Sequence, residues 1–157
     1  MTKPGTMLNH QIPIRTWADW NENIPGFFEA DTVAFCGSNL SGDFAWGIDM
    51  TDVCIGWVLL EISPNRGQHA IHEGMRAMMK RLVYLVLGID SDNGGEFIND
   101  ILYRFCLFMH ITFTRTRAGK KNDNCYVEQK NFTSLRTFLG YCRIETEEQI
   151  AIAKEIL

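Results

Sequence analysis

One short apolar run constrains this chain more than anything else in it. "VYLVLGI" (83–89) is continuous, uncharged and lies between two stretches of helical period. Upstream, "QHAIHEGMRAMMKRL" (68–82) places Ile71, Met75, Met78, Met79 and Leu82 on one helical face. Downstream, "EFINDILYRFCLFMH" (96–110) does the same with Phe97, Ile101, Phe105 and Phe108. A run this short, closed by the turn residues of "DSDNGG", predicts a strand buried on both faces. Such strands belong to parallel sheets reached through helices, so the chain has to build an α/β layer structure.

The remaining elements extend that layer. "FFEADTVAFC" (27–36), "DFAWGIDMTD" (43–52) and "CIGWVLLEI" (54–62) are rich in β-formers. They predict an antiparallel meander, with a tight connection at Thr51–Val53. "ITFTRT" (111–116) alternates and predicts a fifth strand, and "AGKKND" (118–123) a polar loop. "NCYVEQKNFTSLRTFLG" (124–140) predicts a third helix, stopped by Gly140. "ETEEQIAIAKEIL" (145–157) predicts a fourth, capped by Thr146. Residues 1–25, with Pro4, Pro13 and Pro25, read as an irregular lead-in to a core domain over 26–157. The order βββ-α-β-α-β-α-α implies a five-stranded mixed sheet flanked by helices on both faces. The last helix runs uncapped to the final residue, so a longer parent protein is expected.

Composition narrows the function classes. The 157 residues suit one domain, 46% apolar and 22% charged. There is no apolar stretch long enough for a membrane span and no signal-peptide core, so no membrane partner is expected. The five cysteines form no CxxC pair, which fits reduced thiols in a cytoplasmic protein. A net charge of −4 argues against a uniformly basic nucleic-acid binder. The charge is uneven, however. Residues 113–136 hold Arg115, Arg117, Lys120, Lys121, Lys130 and Arg136 against only Asp123 and Glu128. A basic segment on an acidic body suits a protein that meets phosphate in one place and holds cations in another.

Three acids stand out by position. Asp31 lies inside the first predicted strand, where a carboxylate is costly unless it is paired or binds metal. Asp92 follows the apolar strand, beside Asp31 if the two strands are parallel neighbours. Glu128 lies near the start of the third helix, able to face the same sheet edge. Each has a plainer reading alone: a hydrogen-bonded core aspartate, a cap of the Asn93–Gly94 turn, an exposed helix residue. Together, one acid on each of three converging elements calls for divalent cations, and hard oxygen ligands select magnesium or manganese. Two such ions suit in-line displacement at phosphorus.

The wording around the acids resembles a known superfamily. From Asp92 to Glu128 there are 35 intervening residues, with Asp31 upstream. This is similar to the D,D-35-E signature of retroviral integrases and insertion-sequence transposases. "SDNGGEF" resembles that family's segment around the second acid. "KKNDNCYVEQKN" resembles the bacterial transposase segment around the glutamate, with Asn131 three residues beyond it. "DTVAFCG" and "TDVCIGW" resemble the first-acid strand and the hairpin after it. The resemblance spans roughly residues 12–150 and implies a ribonuclease H-like fold. It also implies Asp31, Asp92 and Glu128 as catalytic metal ligands for two magnesium or manganese ions. The implied activity is DNA strand cleavage and strand transfer on mobile-element ends and target DNA, by a homodimer or higher multimer, without a covalent protein–DNA intermediate.

Lys120, Lys121, Lys130 and Asn131 are further candidates for contact with DNA. Asp90 is a second acid on the Asp92 strand and reads as a bystander, Asp52 as structural, and Glu96 as a helix-opening acid. His69, His72 and His110 show no metal-ligand spacing. There are departures. Retroviral integrases carry lysines four and seven residues after the glutamate, where this chain has Phe132 and Leu135. Within these 157 residues no segment resembles the family's flanking DNA-binding modules. Two other readings remain open at this stage: a different two-metal nuclease on the same fold, and an inactive core that dimerises or binds DNA.

Overall fold

The computed structural model describes residues 6–16, 19, 23–120, 123 and 125–157. Five strands form one sheet: β1 (Phe27–Ala34), β2 (Trp46–Asp52), β3 (Val58–Ser63), β4 (Gly88–Ser91) and β5 (Thr112–Arg115). Their order is β3-β2-β1-β4-β5. The first three strands pair antiparallel, while β1–β4 and β4–β5 pair parallel. The expected mixed five-stranded α/β sheet is therefore present. Six helices accompany it among the described residues: α1 (Thr6–Gln11), α2 (Gln68–Lys80), α3 (Asp100–Phe108), α4 (Cys125–Thr133), α5 (Leu135–Leu139) and α6 (Glu147–Ile156).

Strand alternation divides the sheet into two chemically different faces. Phe28 and Ala30 of β1, Ile48 and Met50 of β2, Leu59, Ile89 and Phe113 all point to one face. There they build the larger core, closed by Ile71, Met75 and Met78 of α2 and Leu102 and Cys106 of α3. The opposite face is split along its length. At one end Val33, Phe35, Leu60 and Ile62 form a second apolar core with Leu135, Ile144 and Ala153. At the other end the same alternation places Glu29 and Asp31 on β1, Asp49 on β2 and Asp90 on β4, with α4 packed over β1 and β2. The acids are thus on the α4 side by register.

Five details differ from the sequence reading, each for a physical reason. The fourth strand begins at Gly88 rather than Val83. Residues 83–87 approach the sheet as an extended connection, with Val83 99% and Leu85 79% exposed while Tyr84 and Val86 lie against the core. The apolar run marks the approach, and the acid of "GIDS", Asp90, is inside the strand itself.

The second helix starts at Asp100, not 96, because Asn99 caps it by accepting from the N–H groups of Ile101 and Leu102. Its buried stripe is Leu102 and Cys106, continuing Ile98, while Phe108 is exposed. "ILYRFCLF" is apolar on nearly every side, so periodicity cannot select the face.

The long third helix breaks at Ser134 into α4 and α5, ending at Gly140 as expected. The break lets Leu135 turn down onto Gly47, where any added Cβ would stand 2.9 Å from its Cδ1. Finally, part of the lead-in is ordered: α1 forms, Ile12 is buried, and Ile14 bridges to Arg115 beside β5.

The β2–β3 connection is longer than the tight turn expected, and Asp52 organises it. Its carboxylate accepts from the N–H groups of Gly26, Cys54 and Ile55 and from the Tyr84 hydroxyl. No described helix is long and apolar enough to cross a membrane.

Candidate active site

Asp31, Asp92 and Glu128 reach one place. They line an open cleft of about 340 Å³ together with Asn93, Gly94, Thr116, Arg117, Ala118, Gly119 and Lys120. β1 supplies Asp31, the turn leaving β4 supplies Asp92, and the first turn of α4 supplies Glu128. The cleft lies off the carboxyl ends of the parallel pair β4–β5, the usual position for a ligand in such sheets.

Each acid is held differently. Asp31 is half-buried. Its Oδ1 accepts from the Thr32 N–H at 2.7 Å, and its Oδ2 from Asn131 Nδ2, also at 2.7 Å. Burial foremost, and then the neighbouring carboxylates of Asp92 and Glu128, push its carboxyl up to about 6 against those two hydrogen bonds. Asp92 is half-buried and accepts from the Gly94 N–H at 2.9 Å, so it does cap the turn while facing the cleft. Glu128 is exposed. Among the described residues, no lysine or arginine forms an ion pair with any of the three.

The turn between Asp92 and α3 is locked from below. The Glu96 carboxylate folds under Gly94, where an added Cβ would come within 2.5 Å of it. Glu96 also accepts from the Thr32 hydroxyl at 3.1 Å and pairs with Arg66, whose guanidinium lies over the Trp46 ring. It is a buried anchor rather than a helix-opening acid. Asn93 donates to the Thr116 carbonyl and accepts from Arg115, tying the turn to β5.

The other expected residues are dispersed. Lys120 lines the cleft. Lys121 lies outside the described residues. Lys130 is half-buried on α4 and its charge acts on Asp49 rather than in the cleft. Asn131 holds Asp31. Asp90 is wholly buried and accepts from the Thr114 hydroxyl. Arg117 was passed over as a candidate, yet it lines the cleft, braced by a two-pronged pairing with buried Asp123 at 2.8 Å.

Behind the cleft lies a row of acids that sequence reasoning did not assemble. Glu29, Asp49 and Asp90 are fully buried. Burial pushes Glu29 up to about 8 and Asp49 and Asp90 each up to about 7. Asp49 stands opposite Asp31 in the register, and Glu29 opposite Asp90. The signal was the alternation itself: Glu29 is two residues before Asp31 and so shares its face.

Hard, mutually repelling oxygen donors crowding one cleft suit a divalent cation of the magnesium class. As placed, no three His, Cys, Asp or Glu side chains among the described residues stand close enough to grip one ion. Asp92 is turned toward Gly94, and Glu128 extends into solvent.

No family model matches the chain. The uncharacterized protein y4rM of Sinorhizobium fredii is 32% identical over 147 residues, 94% of this chain. The chain spans 42% of the length of that curated relative. Among solved structures, the catalytic core domain of BIV integrase superposes with a TM-score of 0.58 at 18% identity, covering 82% of this chain and 80% of that one. The HTLV-2 integrase catalytic core domain in complex with magnesium, in its trimeric form, gives 0.59 at 18% identity, covering 83% of each. A chain of the simian T-cell lymphotropic virus intasome in complex with a PP2A regulatory subunit gives 0.64 at 14% identity, covering 89% of this chain and 49% of that one. The sheet order and flanking helices are those of the ribonuclease H-like fold of retroviral integrase catalytic cores.

Proposed function

We propose that this chain is the catalytic core of a DNA transposase or integrase, cleaving and joining DNA strands with divalent metal. One observation carries the reading. Three carboxylates from three separate elements line a single cleft, and the Asp31 carboxyl is raised first by burial and then by the other two. Asp31, Asp92 and Glu128 would hold the metal. Two magnesium or manganese ions, when bound, supply the charge that activates an attacking oxygen and stabilises the leaving one. The protein's own residues set the stage. Asn131 orients Asp31, the Asn93–Gly94 turn fixes Asp92, and the exposed Glu128 side chain can rotate toward both. Lys120 and Arg117 stand where a phosphodiester would enter, with Arg117 pre-oriented by Asp123.

The attacking group is water in the first step and the liberated 3′-hydroxyl in the second, so no protein nucleophile is needed. Structural neighbours described as bound to magnesium, as dimeric and trimeric forms and as an intasome support a multimer acting on DNA ends. The test uses the full-length protein. Asp31→Asn, Asp92→Asn and Glu128→Gln should each lower Mn²⁺-dependent cleavage and strand transfer by at least about 100-fold with the fold retained. Near-normal activity in any one of them refutes the assignment of that acid.

A further inference from the structure

Glu29 occupies an unusual place for an acid. It is fully buried in β1, on the same face as Asp31 and two residues before it. Its Oε2 accepts from the Val127 N–H at 2.9 Å, across 98 residues of sequence. The Tyr126 backbone N–H also acts on this carboxyl, favouring its ionised form. Both groups belong to the first turn of α4, where N–H groups lack intrahelical partners. A carboxyl at that point satisfies the free donors and meets the positive end of the helix.

The next residue of that turn is Glu128. Among the described residues, the side-chain hydrogen bond to this turn comes from Glu29. Its sequence "CYVEQKNFT" carries no strong apolar stripe, and Val127 is its fully buried contact in this turn. Burying a carboxyl is expensive, and Glu29 Oε1 has no hydrogen-bond partner among the described residues. A leucine would fill the same space without that penalty. What it would lack is an acceptor with the reach to hold α4.

We propose that Glu29 is a positioning residue: from inside the sheet its carboxyl caps the first turn of α4 and sets the distance between Asp31 and Glu128. The functional part of this claim rests on the metal-dependent reading of the cleft; the cap itself does not.

Three substitutions separate reach from charge. Glu29→Gln keeps an acceptor of the same reach. Glu29→Asp keeps the carboxyl but withdraws the oxygens by one methylene. Glu29→Leu removes both. Two readouts apply to full-length protein: kcat and KM for Mn²⁺-dependent cleavage of a DNA duplex, and hydrogen exchange of the Tyr126 and Val127 amides. Glu29→Gln should stay close to wild type in both. Glu29→Asp and Glu29→Leu should lose about 10–100-fold in kcat with KM for DNA unchanged, and exchange at the two amides should accelerate. If Glu29→Leu fails to fold, the Asp and Gln variants still decide. An active Asp variant beside an inactive Gln variant would make Glu29 a charged ligand and overturn the proposal. So would unchanged exchange, or unchanged kcat, in Glu29→Asp. A wild type that does not cleave DNA refutes the reading of the cleft instead, and the exchange data then judge the cap alone.

Discussion

Asn131 illustrates how much of this site depends on single side chains. Its Nδ2 holds Asp31 Oδ2 at 2.7 Å from the turn of α4 after Glu128. Groups that orient a metal-binding carboxylate typically matter about 10–100-fold for metal affinity. Asn131→Leu should therefore weaken Mn²⁺ binding by that order while leaving the fold intact. Isothermal titration would check it, and wild-type affinity in the variant would contradict it. The same logic gives a thermal test of Asp31. An ion bound only by the folded state raises its melting temperature. Mn²⁺ should raise it for the wild type and much less for Asp31→Asn; equal shifts would remove Asp31 from the ion's shell.

At the scale of elements, the two ends of the chain's second half are fixed by local chemistry. Thr146 and Gln149 form a capping box at the start of α6. Thr146→Ala should cost about 0.5–2 kcal/mol in chemical denaturation, and no loss would mean that α6 is held by packing alone. The Thr146 cap was legible in the sequence, as were β1–β3, α2, the parallel order of β4 and β5, and the placement of Asp31, Asp92 and Glu128 along one cleft. Three features were not. The start of β4 was displaced because apolarity in "VYLVL" serves an approach to the sheet rather than the ladder. The face of α3 was ambiguous because seven of its nine residues, all but Asp100 and Arg104, are apolar or aromatic. The layer of Glu29, Asp49 and Asp90 was not assembled, because Asp90 alone reads as a bystander and the strand register is what joins the three. Only pairing opposite Asp31 and beneath α4 gives them meaning.

For the whole molecule, that acidic layer makes a prediction about pH. Glu29, Asp49 and Asp90 have folded-state values raised to about 8, 7 and 7. The folded protein therefore binds more protons than the unfolded chain between the ordinary carboxylate range and those values. The stability they contribute is complete below about pH 4 and is lost as pH rises through about 7 to 8. His72, lowered by burial, acts in the opposite sense only below its ordinary range. In EDTA the melting temperature should fall from about pH 6.5 to about pH 9, with a shallower fall in Asp49→Asn. A flat or rising profile would contradict the burial of these acids. The central claim concerns the cleft in front of them, lined by carboxylates from β1, from the turn after β4 and from α4, which we propose hold divalent metal. Its most direct test is anomalous scattering from Mn²⁺-soaked crystals. The account predicts manganese density bounded by Asp31, Asp92 and Glu128, absent in Asp31→Asn crystals. Density elsewhere, or none in the cleft at saturating Mn²⁺, would contradict it.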